Sequence, residues 1–434
     1  MQFSHALLAA LVALASAQSS ATTSASSSQQ SGCSQDIKVQ SQSDLDKIAG
    51  CKKLDGSIEI TGEAGVLSID GIEEITGSLK ANNLSTLNSL TAPKLTSVGK
   101  DLDLQVLNGL STLSFPALQA VGNLKWITLP NLDVMQLNQG VNNATSVVIS
   151  DTSIKELMGI NVVDVGEVNI NNNRYLKQIA LGLQHVTESL QISDNAPGLE
   201  AQFDSLQWAA NISFRGVSKA DMPNLTYVNN SIGYVNNTIK NISLPQLTKV
   251  GGGIFFVSNS ELTDLKVPEL EEIGGGLQVA NNTKLRKVDG FPKVKSVAGA
   301  IEMLGNFSEA TLPKLNQVKG GVDVESNDSG FNCSSWNDAH SNGDIQGDSY
   351  QCSAKESQTS VALSATSGSG SASSSATGSA GSSGSAGTSA GSSAQASGSS
   401  AKKDGDKKNS ANTLRGAEIV AGFGAGAAIL IHLL

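Results

Sequence analysis

Glu302 and Asp323 stand one period apart in a chain that repeats every ~22 residues. In a coiled architecture of that period two such carboxylates stand side by side, about one strand spacing (~4.8 Å) apart. That is close to the ~5 Å separation at which retaining glycosidases hold their two carboxyl groups, and neighbouring Asp and Glu also suit a hard cation. The plain alternative, a solvated acidic face, is the preferred reading, so no catalytic or metal-ligating residue is assigned. The same stripe holds Phe256 and Gln278. An outward aromatic beside an amide suits a sugar ring, which makes this pair the candidate ligand face; a one-residue slip of register would turn Phe256 inward.

Other chemistry has little to draw on. The four histidines are His5, His185, His340 and His432, and the first and last fall in segments expected to be removed. His185 reads as a coil corner and His340 as part of a C-terminal cap. That leaves too few groups for a Ser-His-Asp triad or a His-rich metal site, and no cofactor is expected. Modification is better supported. Eleven Asn-x-Ser/Thr sequons occur, at Asn83, Asn143, Asn211, Asn224, Asn229, Asn236, Asn241, Asn281, Asn306, Asn327 and Asn332, each a candidate for N-glycosylation on a secreted chain.

What must position these residues is a repeat. Seven of the nine prolines fall in two series, Pro93 and Pro116, then Pro223, Pro245, Pro268, Pro292 and Pro313, with neighbours in each series about one period apart. Apolar-x-apolar segments keep the same beat, beginning at Ile58, Leu79, Leu102, Leu124, Val147, Val168, Leu190, Ile212, Ile232, Ile254, Leu277, Ile301 and Val322. Their mean spacing is roughly 22 residues, within the range of solenoid repeats. Helices cannot carry Gly and Pro at this frequency. Three-residue strands can, two side chains in and one out, and stacked coils then build one long thin core. The expected fold is all-β: a parallel β-helix or solenoid of about 13 coils.

Details of the coil follow. Six units continue to an Asn, at Asn173, Asn195, Asn237, Asn282, Asn306 and Asn327, where a side-chain amide can satisfy the turn and stack on the next coil. Asn306 and Asn327 are also sequons, and a buried ladder amide cannot carry a sugar, so these two are expected to be the least glycosylated. Gly251–Gly253 and Gly274–Gly276 precede strands, where glycine would supply φ > 0 for a tight corner. The outward stripe reads Glu59, Lys80, Asp103, Lys125, Val148, Asn169, Gln191, Gly233, Phe256, Gln278, Glu302, Asp323; its alternating start suits a cross-strand charge ladder.

The ends are of different composition. Residues 1–17 are apolar and close on Ala15-Ser16-Ala17, a secretory signal peptide in form. Residues 18–32 are Ser/Thr/Gln-rich and read as disordered. Residues 353–408 form a Ser/Ala/Gly-rich stalk with a Lys cluster at its end; it is either O-glycosylated or a bare linker. In residues 409–434 a small triplet, Asn409-Ser410-Ala411, precedes a polar spacer and the apolar run Ile419–Leu434, the signal for a glycosylphosphatidylinositol (GPI) anchor with Asn409 as attachment residue. Secretion makes disulfides the default for Cys33, Cys51, Cys333 and Cys352. Of three possible pairings, Cys33–Cys51 and Cys333–Cys352 are preferred, because each closes a short loop at one end of the 33–352 repeat region. The formal net charge of −10 argues against nucleic acid as a partner.

Signal peptide, Cys-bracketed repeats, Ser-rich stalk and anchor signal together resemble the fungal GPI-anchored cell-wall organisation proteins of the extracellular-mutant and sporulation-specific type. The repeats resemble the receptor L-domain, a right-handed β-helix related to leucine-rich repeats. The resemblance covers residues 33–352 and both termini, and brings no catalytic motif. It implies attachment to the outer leaflet of the plasma membrane through the GPI lipid, or to the cell wall, and a role in wall integrity. The expected partners are wall polysaccharide (β-glucan, chitin or mannan) or wall proteins.

Overall fold

The computed structural model describes residues 32–354, which form a parallel β-solenoid with two short helices at its ends. The segments expected as signal peptide and anchor signal, with Asn409, and the expected stalk beyond residue 354 lie outside the described residues; Ser353 and Ala354, its first two residues, are in the last strand. No described helix is long and apolar enough to cross a membrane.

The coil from Lys249 to Leu270 shows why this sequence folds so. A two-residue strand, Lys249–Val250, leads through Gly251–Gly253 into the main strand Ile254–Val257. The chain then turns at Ser258 and Asn259, runs through strand Asp264–Lys266 on a second side, and turns again at Pro268. Val250, Ile254, Phe256, Leu262, Leu265, Val267 and Leu270 all point inward and are buried. Equivalent residues of every coil join one continuous core from Val39 to Ile345. Burying apolar area at roughly 25 cal/mol per Å² in each coil against both neighbours is what stabilises a strand of only four residues.

The thirteen segment starts read from the sequence are the true register positions. Ile58 pairs with Leu79, Leu79 with Leu102, and so on without a break to Ile301 with Val322, all parallel. One further strand closes each end: Ile37–Val39 on Ile58–Ile60, and Tyr350–Ala354 on Val322–Ser326. Both ends are tied by the local disulfides, Cys33–Cys51 and Cys333–Cys352. Helix Gln42–Asp46 lies at the first end, and helix Ser334–Ser341 at the second, where buried Trp336 donates its Nε1–H to the Ala310 carbonyl at 2.9 Å.

One expectation about the corners is corrected. The glycine triplets do not adopt positive φ. They are needed because coils approach closely there: a Cβ on Gly251 would sit 2.0 Å from the Asn229 carbonyl oxygen, and one on Gly274 2.0 Å from that of Gly251. The left-handed residues lie at the opposite corner, just after the main strand. They are Asn83, Val106, Thr128, Asp151, Asn172, Asp194, Asn236, Ser258 and Asn281, with φ of 51 to 58°, and Gly216 holds the same corner at φ 69°.

The asparagine ladder is real but shorter at one end and fuller in its middle. Asn173 bonds to Asn195, and Asn237 to Asn259 to Asn282, all buried. Asn259 is a member the sequence reading lacks, although Ile254–Asn259 fits the same apolar-x-apolar-x-x-Asn pattern. Asn306 and Asn327 are not members. Strands Ile301–Gly305 and Val322–Ser326 run a residue longer, with no left-handed residue after them. Buried Ser326 takes the inward place by donating to the Phe307 carbonyl, while Asn327 Nδ2 donates to Asn306 Oδ1 at the surface, 3.2 Å away.

Candidate functional site

The outward face of the main sheet is the candidate site. Its C-terminal row, read across successive strands, is Ser213, Gly233, Phe255, Gln278, Glu302, Asp323, Gln351. Phe255, not Phe256, is therefore the outward aromatic beside Gln278. Phe256 is fully buried in a core stack that runs Phe203, Phe214, Tyr234, Phe256, Phe291, with ring centroids 5.3 to 6.2 Å apart. Counted from the segment start at Ile254, as in the other rows, the outward place is Phe255, and Phe256 is one residue out of that register. Ile254 packing between Ile232 and Leu277 decides it.

Glu302 and Asp323 are indeed register partners on adjacent strands. Glu302 is only 4% exposed, contrary to a freely solvated face, and its Oε2 accepts a hydrogen bond from Gln278 Nε2 at 2.9 Å. Burial pushes its carboxyl above the usual range, the Gln278 amide opposes the shift, and the neighbouring Asp323 charge adds to it. Asp323 is raised as well, by burial first and then by Glu325. Two acceptors in this row, Gln278 Oε1 and Asp323 Oδ1, are buried with no hydrogen-bond partner. Among the described residues no group of three or more His, Cys, Asp or Glu is placed to hold a metal ion.

The alternating charges at the start of the stripe are in register, Glu59 with Lys80 with Asp103 with Lys125, yet they do not form the expected ladder. Lys80 reaches Asp101 at 3.4 Å, and Asp103 accepts from Gln105. Cross-coil ion pairs lie mostly off this row: Lys249–Glu272 at 2.8 Å, Lys295–Glu271 at 2.7 Å and Lys293–Glu269 at 2.6 Å. His185 is not at a corner; it heads strand His185–Ser193, bonded to Asp164 and against the Trp208 ring. His340 lies in the cap helix, stacked on Tyr350 at 4.3 Å.

The sequons have a consistent placement. Asn83, Asn236 and Asn281 occupy the left-handed corner after the main strand, and Asn306 and Asn327 follow at the same edge. Asn143, Asn211 and Asn229 lie in the bend that enters the main strand, Asn224 in a proline turn, Asn241 on the second side and Asn332 in the cap. No sequon falls in a main strand. A cleft of about 510 Å³ opens at the exit edge, lined among others by Asn281, Leu304, Asn306, Glu325 and Asn327.

The geometry defines a class: a disulfide-capped, parallel β-solenoid bearing sequons along its edges, of the kind built for an oxidising, extracellular setting. Comparison with known proteins makes this specific. The chain is 34% identical over 349 residues to Protein ecm33 of Aspergillus fumigatus, covering 80% of this chain and 85% of that relative. It is 38% identical over 328 residues to Cell wall mannoprotein PST1 of Saccharomyces cerevisiae, covering 75% and 73%. It is 34% identical over 343 residues to Cell wall protein ecm33 of Schizosaccharomyces pombe, covering 78% and 79%. No protein-family model matches, and no solved structure matches. The chain belongs to the fungal GPI-anchored cell-wall organisation family, and its place is the cell surface or cell wall.

Proposed function

We propose that this protein is a non-enzymatic, GPI-anchored surface glycoprotein required for cell-wall organisation and integrity. It acts by presenting a rigid solenoid face to wall polysaccharides or wall proteins. In this reading residues 1–17 are a signal peptide, 353–408 a stalk, and Asn409 the attachment residue. The observation that carries it is the main sheet itself: thirteen segments in unbroken register, free of sequons, on a chain whose relatives are named as cell-wall and GPI-anchored surface proteins. A continuous ladder stapled at both ends is stiff along its length, which suits display more than turnover. The carboxyl pair supports the same side of the argument. Glu302 is buried and engaged by Gln278, a poor position for handing a proton to a bridging sugar oxygen.

The test is genetic and biochemical together. Deleting the gene in its host should sensitise cells to wall-perturbing dyes, and the wild-type chain should restore resistance, as should Glu302→Gln. Restoration lost with Glu302→Gln, together with release of new reducing ends from β-glucan, chitin or mannan by the purified wild-type protein, would replace the scaffold with an enzyme.

A further inference from the structure

Two independent features single out one part of the main sheet. The first is the distribution of sequons. They stand at the edges of the sheet and leave its face clear: Asn211 and Asn229 precede strands Ile212–Arg215 and Ile232–Val235, while from Ile254 to Ser326 sequons stand at the exit edge alone, at Asn281, with Asn306 and Asn327 just beyond the strands. Glycans along the exit edge would crowd a broad globular partner and leave the face open to a narrow chain laid along the row.

The second is the chemistry of the row. Phe255 is partly exposed, and its ring lies down on Gly253: a Cβ there would meet Phe255 Cζ at 2.3 Å. Val257 and Leu304, also partly exposed, extend the apolar surface. Beside it stand acceptors short of donors, Gln278 Oε1 and Asp323 Oδ1. The Gln278 and Asp323 side chains are themselves only half-buried, so a rotation turns the Asp323 oxygen to a ligand, and does the same for Gln278 in exchange for its bond to Glu302. From Ser213 to Gln351 this row holds no Lys or Arg, and Arg215 in the neighbouring row is turned to Asp194, 3.4 Å away. A ligand for this surface must bring its own donors and an apolar face. It must also lack negative charge, because Glu302, Asp323 and Glu325 would repel it. A sugar has that combination, with CH faces for an aromatic ring and hydroxyls that donate.

We propose that the outward face of strands Ile254–Val257, Leu277–Ala280, Ile301–Gly305 and Val322–Ser326 binds a neutral saccharide chain, with sugar CH faces on Phe255 and hydroxyls donating to Gln278 and Asp323. From Phe255 to Asp323 is three strand steps, ~14 Å, enough for an oligosaccharide lying across the strands. This inference rests on the wall-scaffold reading and gives it a site and a ligand class.

The test uses the full secreted glycoprotein and three neutral probes, the hexasaccharides of β-glucan, chitin and mannan, titrated by calorimetry with and without EDTA. One probe should bind. Phe255→Ala and Asp323→Ala should each weaken it by about tenfold or more, the loss of one good contact. Phe255→Tyr, which keeps the ring, and Lys125→Ala, at the far end of the same face, should bind as wild type. Melting curves confirm that each variant is folded. Binding unaffected by Phe255→Ala and Asp323→Ala would overturn the site while leaving the scaffold reading intact. Binding abolished by EDTA would replace direct hydroxyl recognition with a cation site. No binding of any probe by wild type would overturn the saccharide assignment, and the dye-resistance assay then judges the scaffold reading by itself.

Discussion

Asn259→Ala should be among the most costly single substitutions of a polar residue in this protein. The side chain is buried and serves three coils at once. Its Oδ1 accepts from the Asn237 backbone N–H at 3.2 Å and from Asn237 Nδ2 at 2.9 Å; its Nδ2 donates to the Tyr234 carbonyl at 2.9 Å and to Asn282 Oδ1 at 3.1 Å. Two of those partners have another bond. Asn237 Nδ2 also donates to the Phe214 carbonyl, and Asn282 Oδ1 also accepts from the Asn259 backbone N–H. The Asn237 backbone N–H loses a partner that alanine cannot replace, whereas the Tyr234 carbonyl keeps its place in the strand pairing with Ile254–Val257. One orphaned buried group costs about 1–3 kcal/mol, and the variant should lose roughly that much. The loss should be local, because each coil touches only its neighbours. Hydrogen exchange read by mass spectrometry on the disulfide-intact protein should show faster exchange in the coils between Ile232 and Asn282, and unchanged protection between Ile58 and Leu129. A loss below about 1 kcal/mol in denaturant unfolding, or exchange raised evenly along the solenoid, would refute the reasoning.

Phe256→Ala should cost about 3–5 kcal/mol by opening a cavity in the aromatic stack, whereas Phe255→Ala should cost less than about 1 kcal/mol; equal costs in urea unfolding would mean the register is wrong. Val106 holds a left-handed φ of 52° with a β-branched side chain, so Val106→Asn should raise stability by about 1 kcal/mol, measured as a higher urea midpoint. Glu302 has its folded-state pKa raised by burial. The folded state therefore binds its proton more tightly than the unfolded chain, and ionisation weakens the fold as pH rises above the ordinary glutamate range, about 4.3. Glu302→Gln, which keeps an acceptor for Gln278, should melt higher than wild type at pH 7, with the advantage shrinking towards pH 4; an advantage constant with pH would contradict this. Asn306 and Asn327 are outside the buried ladder, so glycopeptide mass spectrometry should find sugar on both, and emptiness at both would restore the ladder register expected from the sequence.

The period, the thirteen strand starts and the two disulfide pairs were legible because each is a short-range property. A strand start is an apolar-x-apolar triplet, and each disulfide joins cysteines 18 or 19 residues apart. The sequence by itself thus determined that the chain coils, how often, and where each coil enters the sheet. What only the tertiary structure decided are the properties that depend on the coil above and below. An all-apolar Ile254–Val257 carries no alternation of its own, and its facing follows only from the register it shares with Ile232 and Leu277 in the adjacent coils. The glycines of Gly251–Gly253 look like a backbone-conformation requirement, yet what they meet is the carbonyl of the preceding coil. Asn306 has the same local pattern as Asn282, but the strand beneath it continues one residue further and carries it out to solvent. Glu302 reads as exposed on its own strand and is buried by its neighbours. In a solenoid local sequence sets the pitch, and contacts one full coil away set which atoms face in, because each side chain's surroundings come almost wholly from adjacent coils.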